Sequence, residues 1–137
     1  MDEKEIKYTF IDNHLKNFEA LIKTVKLRVY AIEIPVYTNS DGVKYADIVL
    51  EIDENVCPQD NKAFVLEFKK DKVDYHSAVA QVLRYSDVLQ KQLYRKYRIT
   101  PFIVAPEFSE HELKLAKEMK VLPVQYCWKT GVMKIVK

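Results

Sequence analysis

The chain has 137 residues, 48% of them apolar and 31% charged, with a formal net charge of +2. That composition suits a globular fold with a sizeable core, and no repeat, linker or low-complexity tract divides it, so we read 1–137 as a single domain. Gly42 and Gly131 are its only glycines, which leaves little room for a glycine-rich nucleotide loop, neither a Walker nor a dinucleotide fingerprint is present, and no apolar run reaches the roughly 20 residues of a membrane span. The start, MDEKEIKYTF, is too charged for a secretory signal, so the expectation is an intracellular, cytoplasmic protein without membrane association. Cys57 and Cys127 lack CxxC or Cys/His spacing and predict neither a zinc site nor a disulfide.

From Tyr8 to about Val25, the steps Ile11, Leu15, Phe18, Ile22, Val25 predict one helix with a continuous apolar stripe that packs on a sheet. Glu19 flanks that stripe, and reads either as a boundary residue whose stem covers the core edge or as an acid of a functional site. Arg28 to Tyr37 predicts a strand, with Pro35 pointing to a sheet edge or a strand limit. The Thr38–Gly42 turn (TNSDG) folds it back into a second strand, Ala46 to Asp53. Alternation puts Asp47, Val49, Glu51 and Asp53 on one face of that strand.

After a polar loop over Asn55–Asn61, Lys62 to Lys70 (KAFVLEFKK) predicts a third strand, with Glu67 and Lys69 on one face and Leu66 and Phe68 on the other. Tyr75 to about Tyr97 predicts a long helix directing Ala78, Val82, Leu89 and Leu93 to the core, and Gln81 and Tyr85 share one of its faces. Ile99–Ala105 predicts a strand. Ser109 with Glu112 is a capping-box start for a helix burying Leu113, Ala116 and Met119. Val121–Trp128 and Val132–Val136 close the chain as strands. This order implies a parallel crossover and an α/β fold, a mixed central β-sheet flanked by α-helices.

An acid and a lysine two apart in an otherwise aliphatic strand are costly to cover without a reason. A divalent cation beside a phosphate supplies one. Hydrolysis of a phosphodiester needs an activated water, a neutralised phosphate and a stabilised leaving oxygen, and Mg²⁺ serves these while held by one or two carboxylates. Asp47 and Glu67 are the candidate ligands, with the Phe68 backbone carbonyl as a further oxygen. Lys69 is then placed to orient or deprotonate the water, or to stabilise the developing charge. Lys69, Lys70 and Lys72 cluster at the strand end, and Arg84, Lys91, Arg95, Lys96 and Arg98 follow; such residues form either a solvated face or a nucleic-acid contact.

Asp47, then Glu67-Phe68-Lys69 after a hairpin, then Gln81 and Tyr85 in QxxxY spacing (AVAQVLRY) resembles the PD-(D/E)XK nuclease superfamily. Within it, the sequence is most similar to the catalytic domain of archaeal-type single-strand and mismatch-specific endonucleases and to Holliday-junction resolvases. The similarity runs from about Glu19 to Trp128 and includes Ile103–Pro106 (IVAP). It implies a restriction-endonuclease-like core and a nuclease dependent on Mg²⁺ or Mn²⁺ that cuts DNA. The implied roles are Asp47 and Glu67 as ligands, Lys69 as the catalytic lysine, Glu19 as an acid from the first helix, and Gln81, Tyr85, Lys70 and Arg84 as supporting or DNA-facing residues. Ala46 stands where the motif has proline. The mismatch-specific relatives also carry a separate DNA-binding and dimerisation domain that this sequence does not show, which leaves a stand-alone domain, a homodimer formed through its own surface, or a subunit relying on a partner. The alternative is a non-catalytic nucleic-acid-binding or scaffold protein that retains the fold.

Overall fold

The computed structural model describes residues 2–24, 26–40, 42–53, 62–73, 77–92 and 98–137. Its centre is one six-stranded sheet with the strands in chain order: β1 (Leu27–Asn39), β2 (Gly42–Ile52), β3 (Lys62–Phe68), β4 (Arg98–Ala105), β5 (Leu122–Tyr126) and β6 (Met133–Ile135). β1, β2 and β3 pair antiparallel, β3, β4 and β5 run parallel, and β6 returns antiparallel. The expected mixed sheet flanked by helices is therefore present. Pro35 lies inside β1, and that strand is at the sheet edge, where a missing N–H costs no ladder bond.

The helices form two layers. α3 (Ser77–Gln92) and α4 (Glu110–Met119) cover one face, burying Val79, Val82, Tyr85, Leu89 and Ala116 against Val49, Val65 and Ile103. α1 (Glu3–Thr9) and α2 (Leu15–Leu21) cover the other, with Ile6, Phe10 and Phe18 against Ile48, Leu66, Phe68 and Phe102. The alternation of β3 explains the split, since Val65 belongs to the first cluster and Leu66 and Phe68 to the second.

The first helical segment departs from the expected single helix over Tyr8–Val25. It starts earlier, because the Asp2 carboxylate accepts the Glu5 N–H at 2.8 Å and caps α1. It is also interrupted by a π-helical turn at Phe10–His14. That wider turn lets Phe10 meet Phe18, Phe68 and Tyr126 edge-on, at centroid distances of 5.5, 5.1 and 5.5 Å. Val25 and Leu93 lie outside the described residues, as do the ends expected for the long helix.

In α4 half of the expected capping box forms: the Glu112 N–H donates to Ser109 Oγ at 3.2 Å, while the Ser109 N–H goes to the Val73 carbonyl at 3.0 Å. Met119 does not face the core; it is 48% exposed, because the helix ends there and Lys120 turns left-handed at φ 60°. Among the described residues, no helix is long and apolar enough to cross a membrane.

Candidate functional site

The β2–β3 ladder runs from Glu51↔Ala63 to Ile48↔Leu66. The next residues in that register are Asp47 and Glu67, and there the two strands part. Asp47 fills the gap that opens: its Oδ2 accepts the Phe68 N–H at 2.8 Å. An acid at this fork is thus fixed by backbone instead of hanging free. Glu67 is 5% exposed, and its Oε2 is buried without a hydrogen-bond partner. Burial first, then the neighbouring Asp47, pushes the Glu67 carboxyl well above the ordinary carboxylate range, with Lys69 opposing.

Lys69 follows on the same face of the chain. Its Nζ donates to Gln81 Oε1 at 3.2 Å and stands 4.0 Å from Glu67 Oε1. Gln81 Nε2 in turn donates to the Tyr85 hydroxyl at 2.6 Å. This connects strand to helix, and the four-residue spacing is what aligns the amide with the phenol. Tyr85 is 1% exposed, so it supports Gln81 from within the core and does not face a substrate. The structure therefore brings together Asp47, Glu67, Lys69, Gln81 and Tyr85. Lys70 is exposed just beyond the fork, and Arg84 is exposed on α3 one turn from Gln81.

Glu19 is not among them. Its Oε2 accepts the Leu27 N–H at 2.5 Å, tying α2 to the start of β1. Leu27 pairs with Ile52, five residues along β2 from Asp47, which separates the two acids by roughly 17 Å of strand. Glu19 lines a separate cleft of about 940 Å³ with Lys16 and Lys26. Burial of a backbone donor at the helix–strand junction explains its position better than a role in chemistry.

The residue from the first helical segment that does reach the fork is Lys7 on α1, and Glu3, one turn before it, feels the charges there. Lys7 is 4% exposed, and its Nζ donates to Glu33 Oε1 at 3.1 Å and to Asp47 Oδ1 at 3.4 Å. Burial favours the neutral amine, but Asp47 and Glu33 outweigh it and hold the Lys7 pKa above its ordinary value. Glu3 is exposed, yet partial desolvation raises its carboxyl, Lys69 pulls it down and Asp47 pushes it up again, so all three share one field. Both residues carried a legible signal. Asp2 with Glu5 three later is a helix start, and Ile6 with Phe10 continues its apolar face.

Among the described residues, no group of three or more His, Cys, Asp or Glu side chains is arranged to hold a metal. The paired acids nevertheless fit Mg²⁺, which takes hard oxygen ligands, accepts one or two carboxylates and keeps several waters. The orphaned Glu67 Oε2, beside a second carboxylate, is the observation that favours a cation there.

No protein-family model matches the chain, and no curated protein matches it. Among solved structures, it is similar to a repair endonuclease from Pyrococcus abyssi, at 22% identity and a TM-score of 0.52 over 79% of this chain and 43% of that one. It is similar also to EndoMS in a complex with dsDNA, at 16% identity and a TM-score of 0.53 over 85% of this chain and 44% of that one. The chain has the fold of these endonucleases. It spans less than half the length of either.

Proposed function

We propose that this domain is a divalent-metal-dependent nuclease that hydrolyses phosphodiester bonds in DNA, with a PD-(D/E)XK arrangement carried by Asp47, Glu67 and Lys69. The observation that supports it is the fork itself: two carboxylates at the parting of β2 and β3, one of them with a buried orphan oxygen, and an ammonium held beside them by a side-chain chain. The substrate follows the two structures similar in fold, one a repair endonuclease and the other a DNA complex.

Asp47, Glu67 and the Phe68 carbonyl would hold the ion, which supplies charge neutralisation at the phosphate and activation of water. Lys69, presented by Gln81, donates to a phosphate oxygen and stabilises the negative charge that builds on it. Tyr85 anchors Gln81, so the ammonium is positioned before substrate arrives. Lys70 and Arg84 lie on the exposed margin, where they meet the sugar–phosphate backbone.

The test uses end-labelled single-stranded, duplex, flap and four-way DNA and a single-stranded RNA, each with Mg²⁺, Mn²⁺ or EDTA. DNA is cut with metal and spared in EDTA, and Asp47→Ala or Lys69→Ala lowers the rate by about 100-fold or more. Undiminished cutting by both variants sinks the assignment. Binding without cleavage under either metal would instead favour a nucleic-acid-binding protein that keeps the fold.

A further inference from the structure

Lys7 and Glu33 have no place in the reaction just described, yet both are built into the fork at a cost. Lys7 buries its whole side chain on α1 and delivers its ammonium to Asp47 Oδ1 at 3.4 Å. Glu33 holds the same ammonium at 3.1 Å from the other side, with its own side chain 52% exposed. In β1 the pairs Ile32↔Ile48 and Ile34↔Ala46 put Glu33 opposite Asp47. Its backbone is left-handed there, with φ at 54°. A non-glycine residue adopts that conformation inside a strand only when its surroundings impose it.

We infer that Lys7 is a tethered cation that holds Asp47 while no divalent ion is bound, and that Glu33 is the second anchor to which its ammonium withdraws when the ion arrives. This rests on the metal-dependent reading of the site. The physical basis is that Asp47 is a partly buried carboxylate beside a second, buried acid, an arrangement that favours a positive charge close by. Lys7 supplies that charge from within the chain. It also competes with any incoming ion, because both seek the same Asp47 carboxylate. Glu33 sets the strength of the competition by sharing the ammonium, and its exposure lets it follow the lysine without opening the core. Lys7 is thus a positioning residue that tunes the affinity of the site for its ion.

The experiment is titration calorimetry with MnCl₂ alone, without nucleic acid, on the wild type, Lys7→Met, Glu33→Gln and the double variant, alongside melting curves with and without Mn²⁺. Methionine fills the volume of the lysine stem without its charge. Lys7→Met binds Mn²⁺ about tenfold more tightly than the wild type and melts lower when metal-free. Glu33→Gln binds about threefold more weakly, because Lys7 then rests on Asp47 alone. In the double variant the Glu33 effect vanishes, since the carboxylate has no ammonium left to hold. An unchanged or weakened affinity in Lys7→Met overturns the inference, as does a Glu33 effect that persists without Lys7. If Lys7→Met does not fold, Glu33→Gln decides alone, and an unchanged or tighter affinity there overturns it. A wild type that neither binds nor is stabilised by Mn²⁺ overturns the metal-dependent reading and this inference together. A wild type that binds while Lys7→Met gains nothing overturns only the role of Lys7.

Discussion

Glu67 sits where burial and a second carboxylate both resist its ionisation, and the sign of that effect is measurable. Its folded pKa lies above the ordinary value of 4.5, so folding favours the protonated acid. The site costs nothing well below that value, and it destabilises the metal-free protein progressively as pH rises through the folded pKa. Glu67→Gln keeps the shape without the charge. It should raise the melting temperature of metal-free protein by a few degrees at pH 8 and leave it unchanged near pH 4. A lower melting temperature at both pH values would show that the carboxylate is stabilising instead. Gln81 tests the other half of the site. Gln81→Ala removes both the acceptor for Lys69 and the donor to Tyr85, and should slow cutting by about tenfold with little change in melting temperature. A rate equal to wild type would mean that Lys69 needs no holder. At this scale the sequence was informative where chemistry follows local spacing: Glu67 and Lys69 by strand alternation, Gln81 and Tyr85 by helix period. It misled at Glu19, because which acid of a helical segment reaches a sheet end depends on where that segment starts and how it docks. The apolar stripe placed the start at Tyr8, whereas the Asp2 cap moves it back and Lys7 of that added turn reaches the fork.

The elements that aim these side chains are held by a few contacts that periodicity alone does not reveal. The π-helical turn changes the phase between α1 and α2, so that Phe10 becomes the centre of an edge-on aromatic cluster joining both helices to β3 and β5. Phe10 is fully buried. Phe10→Ala should therefore cost about 3–5 kcal/mol, lowering the melting temperature by on the order of 10 °C or more in a thermal scan. A loss of only a degree or two would show that the cluster closes around the gap. A second clamp lies at the β5–β6 turn. Gly131 has φ 80°, and a Cβ there would stand 2.4 Å from His14 Cδ2 and 2.8 Å from Asn17 Nδ2. Gly131 also accepts the Asn17 amide at its carbonyl, 3.1 Å away. Gly131→Ala should destabilise by strain and by collision together, about 1–3 kcal/mol, seen as a lower denaturant midpoint with an unchanged slope. Strand existence and order were legible from alternation, but strand limits were not. β2 begins at Gly42 and not at Ala46, because the hairpin ladder continues to the turn regardless of which residues are apolar.

For the whole molecule, the sequential sheet carries the Asp47 fork where β2 and β3 part, with helices on both faces. A net charge of +2 predicts little affinity for a polyanion by itself. Distribution decides the matter, for Lys69, Lys70 and Lys72 follow the end of β3 within four residues. Lys70 and Lys72 are exposed. A Lys70→Gln/Lys72→Gln variant should bind a short duplex more weakly and shift the slope of log affinity against log salt by about 2, measured by fluorescence anisotropy. An unaltered slope would place the DNA elsewhere on the surface. The mixed α/β class and the crossover β4–α4–β5 followed from element order, since a strand, helix and strand at that spacing bring the two strands parallel. The parting of β2 and β3 at Asp47 did not, because it depends on a side chain replacing a ladder acceptor.

The irregular course of β1 has one more effect, on how copies of this protein meet. Thirteen residues of edge strand are a long template for intermolecular pairing, the usual route by which sheets join into aggregates. Here the register slips between Val29 and Ala31 and again between Pro35 and Tyr37, with the left-handed Glu33 between the two. No straight run of outward N–H and C=O groups is left for another chain to copy, and Pro35 removes one donor outright. The opposite edge is protected differently, by a β6 of only three residues. The backbone distortion that presents Glu33 to Lys7 thus also makes this edge a poor template for a further strand.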